Sequence, residues 1–123
     1  MDKRPVNLDL STVKFPVTAI VSILHRVSGV VLLGAILLLL WALDVSLSSE
    51  EGFAFIKELL DNVFVKLIVW AMLAAVIYHL VAGVRHLLMD LGFWEELQSG
   101  KASATASLVL SVILIALAGV WLW

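Results

Sequence analysis

The chain contains no cysteine. Disulfides, thiolate metal sites and iron–sulfur ligation by this chain are therefore excluded. Charge is scarce too: 15% of the 123 residues are charged, and the net charge is −2. So small a charge gives no electrostatic basis for binding nucleic acid. Proline occurs only at Pro5 and Pro16, within a polar stretch at residues 1–16. No internal repeat and no inverted pair of broken helices is visible, which argues against a transport or channel subunit. There is no small-residue cleavage site after a short apolar run, and no Arg- and Ser-rich transit sequence. A bacterial chain inserted directly into the membrane is expected.

Apolar residues are what the chain has in excess. They make up 63% of it, and the mean hydropathy is +1.10. Soluble domains sit nearer about 45–50% apolar. Three uncharged runs stand out, Val27 to Leu43, Leu67 to Val84 and Ala102 to Trp123. A bilayer core about 30 Å thick needs roughly 20 helical residues, and backbone groups in lipid must be satisfied within the segment. The expected fold is an all-α membrane protein, one domain over 1–123, with helices near 20–43, 63–88 and 103–123. Residues 1–16 form an extended arm ahead of the first helix, whose start tolerates Pro16. In the 44–62 connection, Ser48-Ser49-Glu50-Glu51 resembles a helix start. Phe53, Ile56, Leu59 and Leu60 follow at helical spacing, so a short surface helix is expected there.

Lys3, Arg4, Lys14, Arg26, Arg85 and Lys101 fall at one end of this layout, against Lys57 and Lys66 at the other. The positive-inside rule then puts the N-terminus and the 89–102 loop in the cytoplasm, and the C-terminus in the periplasm. On the last helix Ser103, Ser107, Ser111 and Gly119 form a small-residue side. It suits close packing against further membrane helices or within the chain itself.

Two stretches place ionisable residues where lipid disfavours them, at about 2.5–3.5 kcal/mol for a central Arg. They are Ser22-Ile23-Leu24-His25-Arg26-Val27-Ser28-Gly29 and Tyr78-His79-Leu80-Val81-Ala82-Gly83-Val84-Arg85-His86, and they hold all three histidines. On the second predicted span, Ala71, Ala75, His79, Ala82, Gly83 and His86 fall within an arc of roughly 120°. Trp70, Leu73, Ile77, Leu80, Val81, Val84 and Leu88 occupy the other side and can face lipid. Small residues beside an imidazole leave room for a flat ligand, and haem takes imidazole as an axial ligand. His79 lies about two turns deeper than His86, which favours His79 for iron. Arg85 and His86 are better placed for a haem propionate or lipid phosphate. A hydrogen-bonded packing histidine fits the same pattern. On the first span Ser22, His25, Arg26 and Gly29 share a face, while Ser28 points elsewhere. Ser22 and Arg26 can donate to the carbonyl oxygens of a quinone, which gain electron density on reduction. Arg26 can equally snorkel to the headgroups.

These motifs, with Arg4-Pro5-Val6-Asn7-Leu8-Asp9-Leu10 before them and His79-x-x-x-Gly83-x-Arg85-His86-Leu87-x-x-Asp90, resemble the cytochrome b membrane-anchor subunit of succinate dehydrogenase, respiratory complex II, of enterobacterial type. The resemblance covers essentially the whole chain. It implies a partnership with a flavoprotein subunit, an iron–sulfur subunit and a second small three-helix anchor in the bacterial inner membrane. The three helices would then form half of a heterodimeric bundle that shares haem b, one axial histidine coming from each anchor. By that pattern His79 ligates the iron, His25 lies near a propionate, and Ser22 and Arg26 line the ubiquinone site. The alternative from another class is a structural anchor without haem, as in some related fumarate reductases.

Overall fold

The computed structural model describes residues 6, 8–9, 11–12 and 14–123. Arg4, Pro5, Asn7 and Leu10 of the N-terminal motif lie outside the described residues, so the expected arm over 1–16 is described only in part. Within it, the Ser11 hydroxyl and N–H donate to the Asp9 carboxylate at 2.7 and 3.0 Å. Those bonds hold the Asp9 carboxyl below the usual carboxylate range.

Four helices follow: α1 (Val17–Ser48), α2 (Glu50–Leu60), α3 (Val63–Asp90) and α4 (Leu97–Leu122). Three of them, α1, α3 and α4, are long and apolar enough to cross a membrane. α1 and α4 exceed the spans expected near 20–43 and 103–123. α1 has 32 residues, or about 48 Å at the usual helical rise. That exceeds the bilayer core by several turns. Hydropathy registers where apolar residues stop, whereas the helix stops where backbone bonding does. Past Leu43 the Ser46 and Ser48 hydroxyls bond back to the Leu43 and Val45 carbonyls at 2.8 and 2.7 Å, so polar residues continue the helix.

α2 is the expected surface helix. The Ser49 hydroxyl caps it by accepting from the Gly52 N–H at 2.9 Å, with Glu50 and Glu51 in the first turn. Gly52 allows the reversal against α1: a Cβ there would collide with the Val45 carbonyl oxygen. Asn62 then caps α3, accepting from Phe64 N–H at 2.8 Å. α3 ends in a Schellman turn, with Gly92 N–H bonded to the Met89 carbonyl, Phe93 N–H to that of Leu88, and Gly92 at φ +99°. This turn sends α4 back antiparallel to α3.

α3 is the central helix, packed along both α4 and α1. The innermost cluster takes one residue from each span: Val21, Ala82 and Ala104. Most large apolar residues of the spans stay exposed on the chain's exterior, as suits contact with lipid or another subunit. Among the described residues the buried polar ones are Arg85 and three serines, Ser28, Ser107 and Ser111, and serine is a small type that lets membrane helices pack closely. The serine side of α4 therefore packs within the chain. At the Trp123 end, Trp70 Nε1 donates to the Ile115 carbonyl at 2.9 Å over Gly119. Trp70 thus faces α4 and not lipid, and Val81 and Leu88 also line the α3–α4 seam. A helix wheel drawn on α3 alone cannot show that α4 covers this side.

Candidate functional site

The two polar stretches meet where α1 and α3 cross, near the N-terminal end of α1 and the C-terminal end of α3. Small residues make the crossing close. A Cβ added at Gly29 would touch the His79 ring at 3.4 Å, and one added at Gly83 would touch His25 Nε2 at 3.4 Å. Each glycine therefore receives a histidine from the opposite helix. Beside them the Tyr78 hydroxyl donates to the Val21 carbonyl at 2.6 Å and pins the register of α3 on α1.

The histidines form a ladder. His25 stacks on His79 with centroids 4.1 Å apart, and on His86 at 6.4 Å, both at 15° between planes. Stacked rings present faces to one another, so their nitrogens do not converge on one ion. Among the described residues no cluster of His, Asp and Glu could hold a bare metal. His25 Nε2 is buried and has no hydrogen-bond partner among the described residues. His86 is exposed and stands 3.8 Å from Asp90 one turn on.

Ser22, His25, Arg26, Arg85 and His86 line a single cleft of about 220 Å³ between α1 and α3. All five side chains expected at a quinone or propionate are thus brought together. Ser22 and Arg26 lie on the exposed side of α1. Arg85 is different. It is buried, and its Nε donates to Ser103 Oγ at 3.0 Å while its Nη2 donates to the Gly100 carbonyl at 3.1 Å. Two of its nitrogens thus clamp α3 to α4. His79 lines the adjoining groove with His25, Leu80, Gly83, Val84, His86 and Leu87, an almost wholly apolar trough open to the outside.

On α1, one residue differs from its sequence placement. Ser28 does not point away from the site. It is buried, and its hydroxyl lies 2.9 Å from His79 Nδ1 and 2.6 Å from the His25 carbonyl. No signal on α1 alone identifies it, because its role depends on how α3 docks.

Fold and site together define a small membrane subunit of three spans, with a histidine-bearing cleft open to the exterior at one end. The chain belongs to the succinate dehydrogenase/fumarate reductase transmembrane subunit family, which matches residues 1–118. It is 51% identical to a succinate dehydrogenase cytochrome b556 subunit of Coxiella burnetii, over 98% of both chains. A cytochrome b556 subunit of Paracoccus denitrificans is 32% identical over 93% of this chain and 88% of its own length. A cytochrome b560 subunit of Marchantia polymorpha is 34% identical over 90% and 85%.

Proposed function

We propose that this chain is the cytochrome b anchor of a succinate:ubiquinone oxidoreductase in a bacterial inner membrane. In this reading it holds one side of a b-type haem and lines the ubiquinone-reduction site. A flavoprotein, an iron–sulfur subunit and a second three-helix anchor complete the assembly, and the N-terminus and the 91–96 turn face the cytoplasm. The observation that carries the reading is the meeting of the polar cleft with the apolar groove beside His79. The relatives' names, cytochrome b, favour haem over the haem-free alternative.

The residues fit such a group. Ser28 occupies His79 Nδ1, so Nε2 is the ring nitrogen left for iron. Gly29 and Gly83 lie against the His79 and His25 rings, where an added Cβ would just reach van der Waals contact. The His25 Nε2, without a partner among the described residues, suits a polar group supplied from outside, such as a propionate. When bound, haem b exchanges single electrons at the iron. What the chain itself contributes is positioning and charge. His79 orients toward the groove, and His25 and His86 flank it. Ser22 donates a hydrogen bond to a substrate quinone carbonyl, and Arg26 stabilises the negative charge that grows on that oxygen during reduction.

Donors aimed at developing charge contribute more to the transition state than to resting binding, so turnover falls with their loss. Ser22→Ala and Arg26→Leu should sharply lower succinate–ubiquinone reduction in the assembled complex. Succinate-driven reduction of a soluble dye, which bypasses the membrane site, should stay near normal. Unchanged quinone reduction in both variants would place the site elsewhere and leave Arg26 as a headgroup anchor.

A further inference from the structure

We infer that Ser28 is a positioning residue that fixes the tautomer and orientation of His79. This rests on the proposed role of His79 as an iron ligand. The step begins with hydrogen-bond capacity. A serine hydroxyl has one proton and two lone pairs, whereas a backbone carbonyl can only accept. Ser28 Oγ stands 2.6 Å from the His25 carbonyl, so its single proton is committed there. Only lone pairs remain for His79 Nδ1 at 2.9 Å. Nδ1 must therefore carry the proton, and in the neutral ring the lone pair then lies on Nε2, the form that binds iron. Burial of Ser28 keeps water from competing for either bond.

Orientation is set by the same neighbours. Ser28 holds the ring at Nδ1, Gly29 lets it settle against α1, and the His25 ring covers one face at 4.1 Å. The route runs from His25 carbonyl to Ser28 hydroxyl to His79, so α1 dictates the protonation of a ligand on α3. Ligating histidines commonly give their second N–H to a carboxylate, backbone carbonyl or water, which raises ligand basicity. Here a hydroxyl relays to a backbone carbonyl. A more basic imidazole donates more strongly to ferric than to ferrous iron. Removing Ser28 should therefore favour the reduced haem.

Two measurements on Ser28→Ala test this. In the full-length chain in lipid nanodiscs without haem, ¹⁵N histidine spectra should show wild-type His79 as the Nδ1–H tautomer. In Ser28→Ala the population should move toward Nε2–H. In the assembled complex, more than half the haem of Ser28→Ala should be reduced at the potential where the wild type is half reduced. Ser28→Thr, which keeps the hydroxyl, should restore the wild-type value. If Ser28→Ala does not assemble, Ser28→Cys replaces it, being close in size but a much poorer acceptor. An unchanged tautomer together with an unchanged midpoint would reduce Ser28 to packing and overturn the inference. Failure of the ligand reading looks different: His79→Ala would then leave haem spectrum and midpoint unaltered, while the nanodisc spectra still decide what Ser28 does to His79.

Discussion

Removing the Arg85 side chain's charge tests whether this residue works mainly as a clamp. Its neighbours in the sequence suggest a propionate contact, yet two of its nitrogens are bonded to Ser103 Oγ and the Gly100 carbonyl on α4. Arg85→Met keeps most of the apolar stem and deletes both bonds. Interhelical side-chain bonds in membranes contribute about 0.6 kcal/mol on average and at most about 1.7, so the pair should contribute about 1–3 kcal/mol. Ser103→Ala is a separate perturbation, because it leaves a buried guanidinium short of one acceptor, at about 1–3 kcal/mol. Once the charge is gone, deleting the serine should cost much less. The two substitutions should therefore be non-additive by about 1 kcal/mol, as for residues in direct contact. Unfolding of the full-length chain by SDS in mixed micelles, for wild type, both single variants and the double variant, reads this directly. If Arg85→Met unfolds at the wild-type SDS fraction, or if the two effects simply add, the clamp is not a stabilising element.

The Trp123 end of the bundle and the topology supply two more tests. A Cβ at Gly119 would lie 3.0–3.3 Å from the Trp70 indole, which its bond to Ile115 holds in place. Gly119→Ala should thus destabilise α3–α4 packing by about 1–3 kcal/mol, the usual cost of overpacking, in the same SDS titration; a wild-type midpoint would mean the indole moves aside freely. A reporter active only in the periplasm should give signal when fused after Trp123. Silence there, with signal from an insertion in the 91–96 turn, would invert the topology.

Much of this architecture was legible in the sequence because a bilayer imposes few solutions. Apolar length marked the three spans, and the Ser49–Glu51 cap with helical spacing from Phe53 marked α2. The cleft was legible where expensive polar residues clustered, which is why Ser22, His25 and Arg26 could be expected to lie together, with His79 in the groove beside them. Legibility ended where helices meet. A wheel on α3 assigns Trp70 to lipid, and depth alone offers Arg85 to a propionate or lipid phosphate, but the Schellman turn at Gly92 returns α4 over Trp70 and gives two Arg85 nitrogens partners on α4. Ser28 was hidden for the same reason: it lies off the polar face of α1, and only the docking of α3 brings His79 Nδ1 to its hydroxyl. Helix ends were missed in another way, since Asp44 to Ser48 and Leu97 to Lys101 are polar enough to leave the bilayer yet remain helical.

The role of His79 is central, and one measurement reaches it most directly. Wild-type and His79→Ala complexes should be purified to equal subunit content and compared by low-temperature absorption, electron paramagnetic resonance and redox titration of the haem. Loss of one axial nitrogen should change the low-spin signature, the midpoint potential or both, while His86→Ala, whose imidazole is exposed beside Asp90, should affect iron ligation far less. Haem retention alone decides nothing, because the groove walls could still hold the porphyrin. A six-coordinate, low-spin haem with unchanged potential in His79→Ala would contradict the assignment of His79 as this chain's iron ligand.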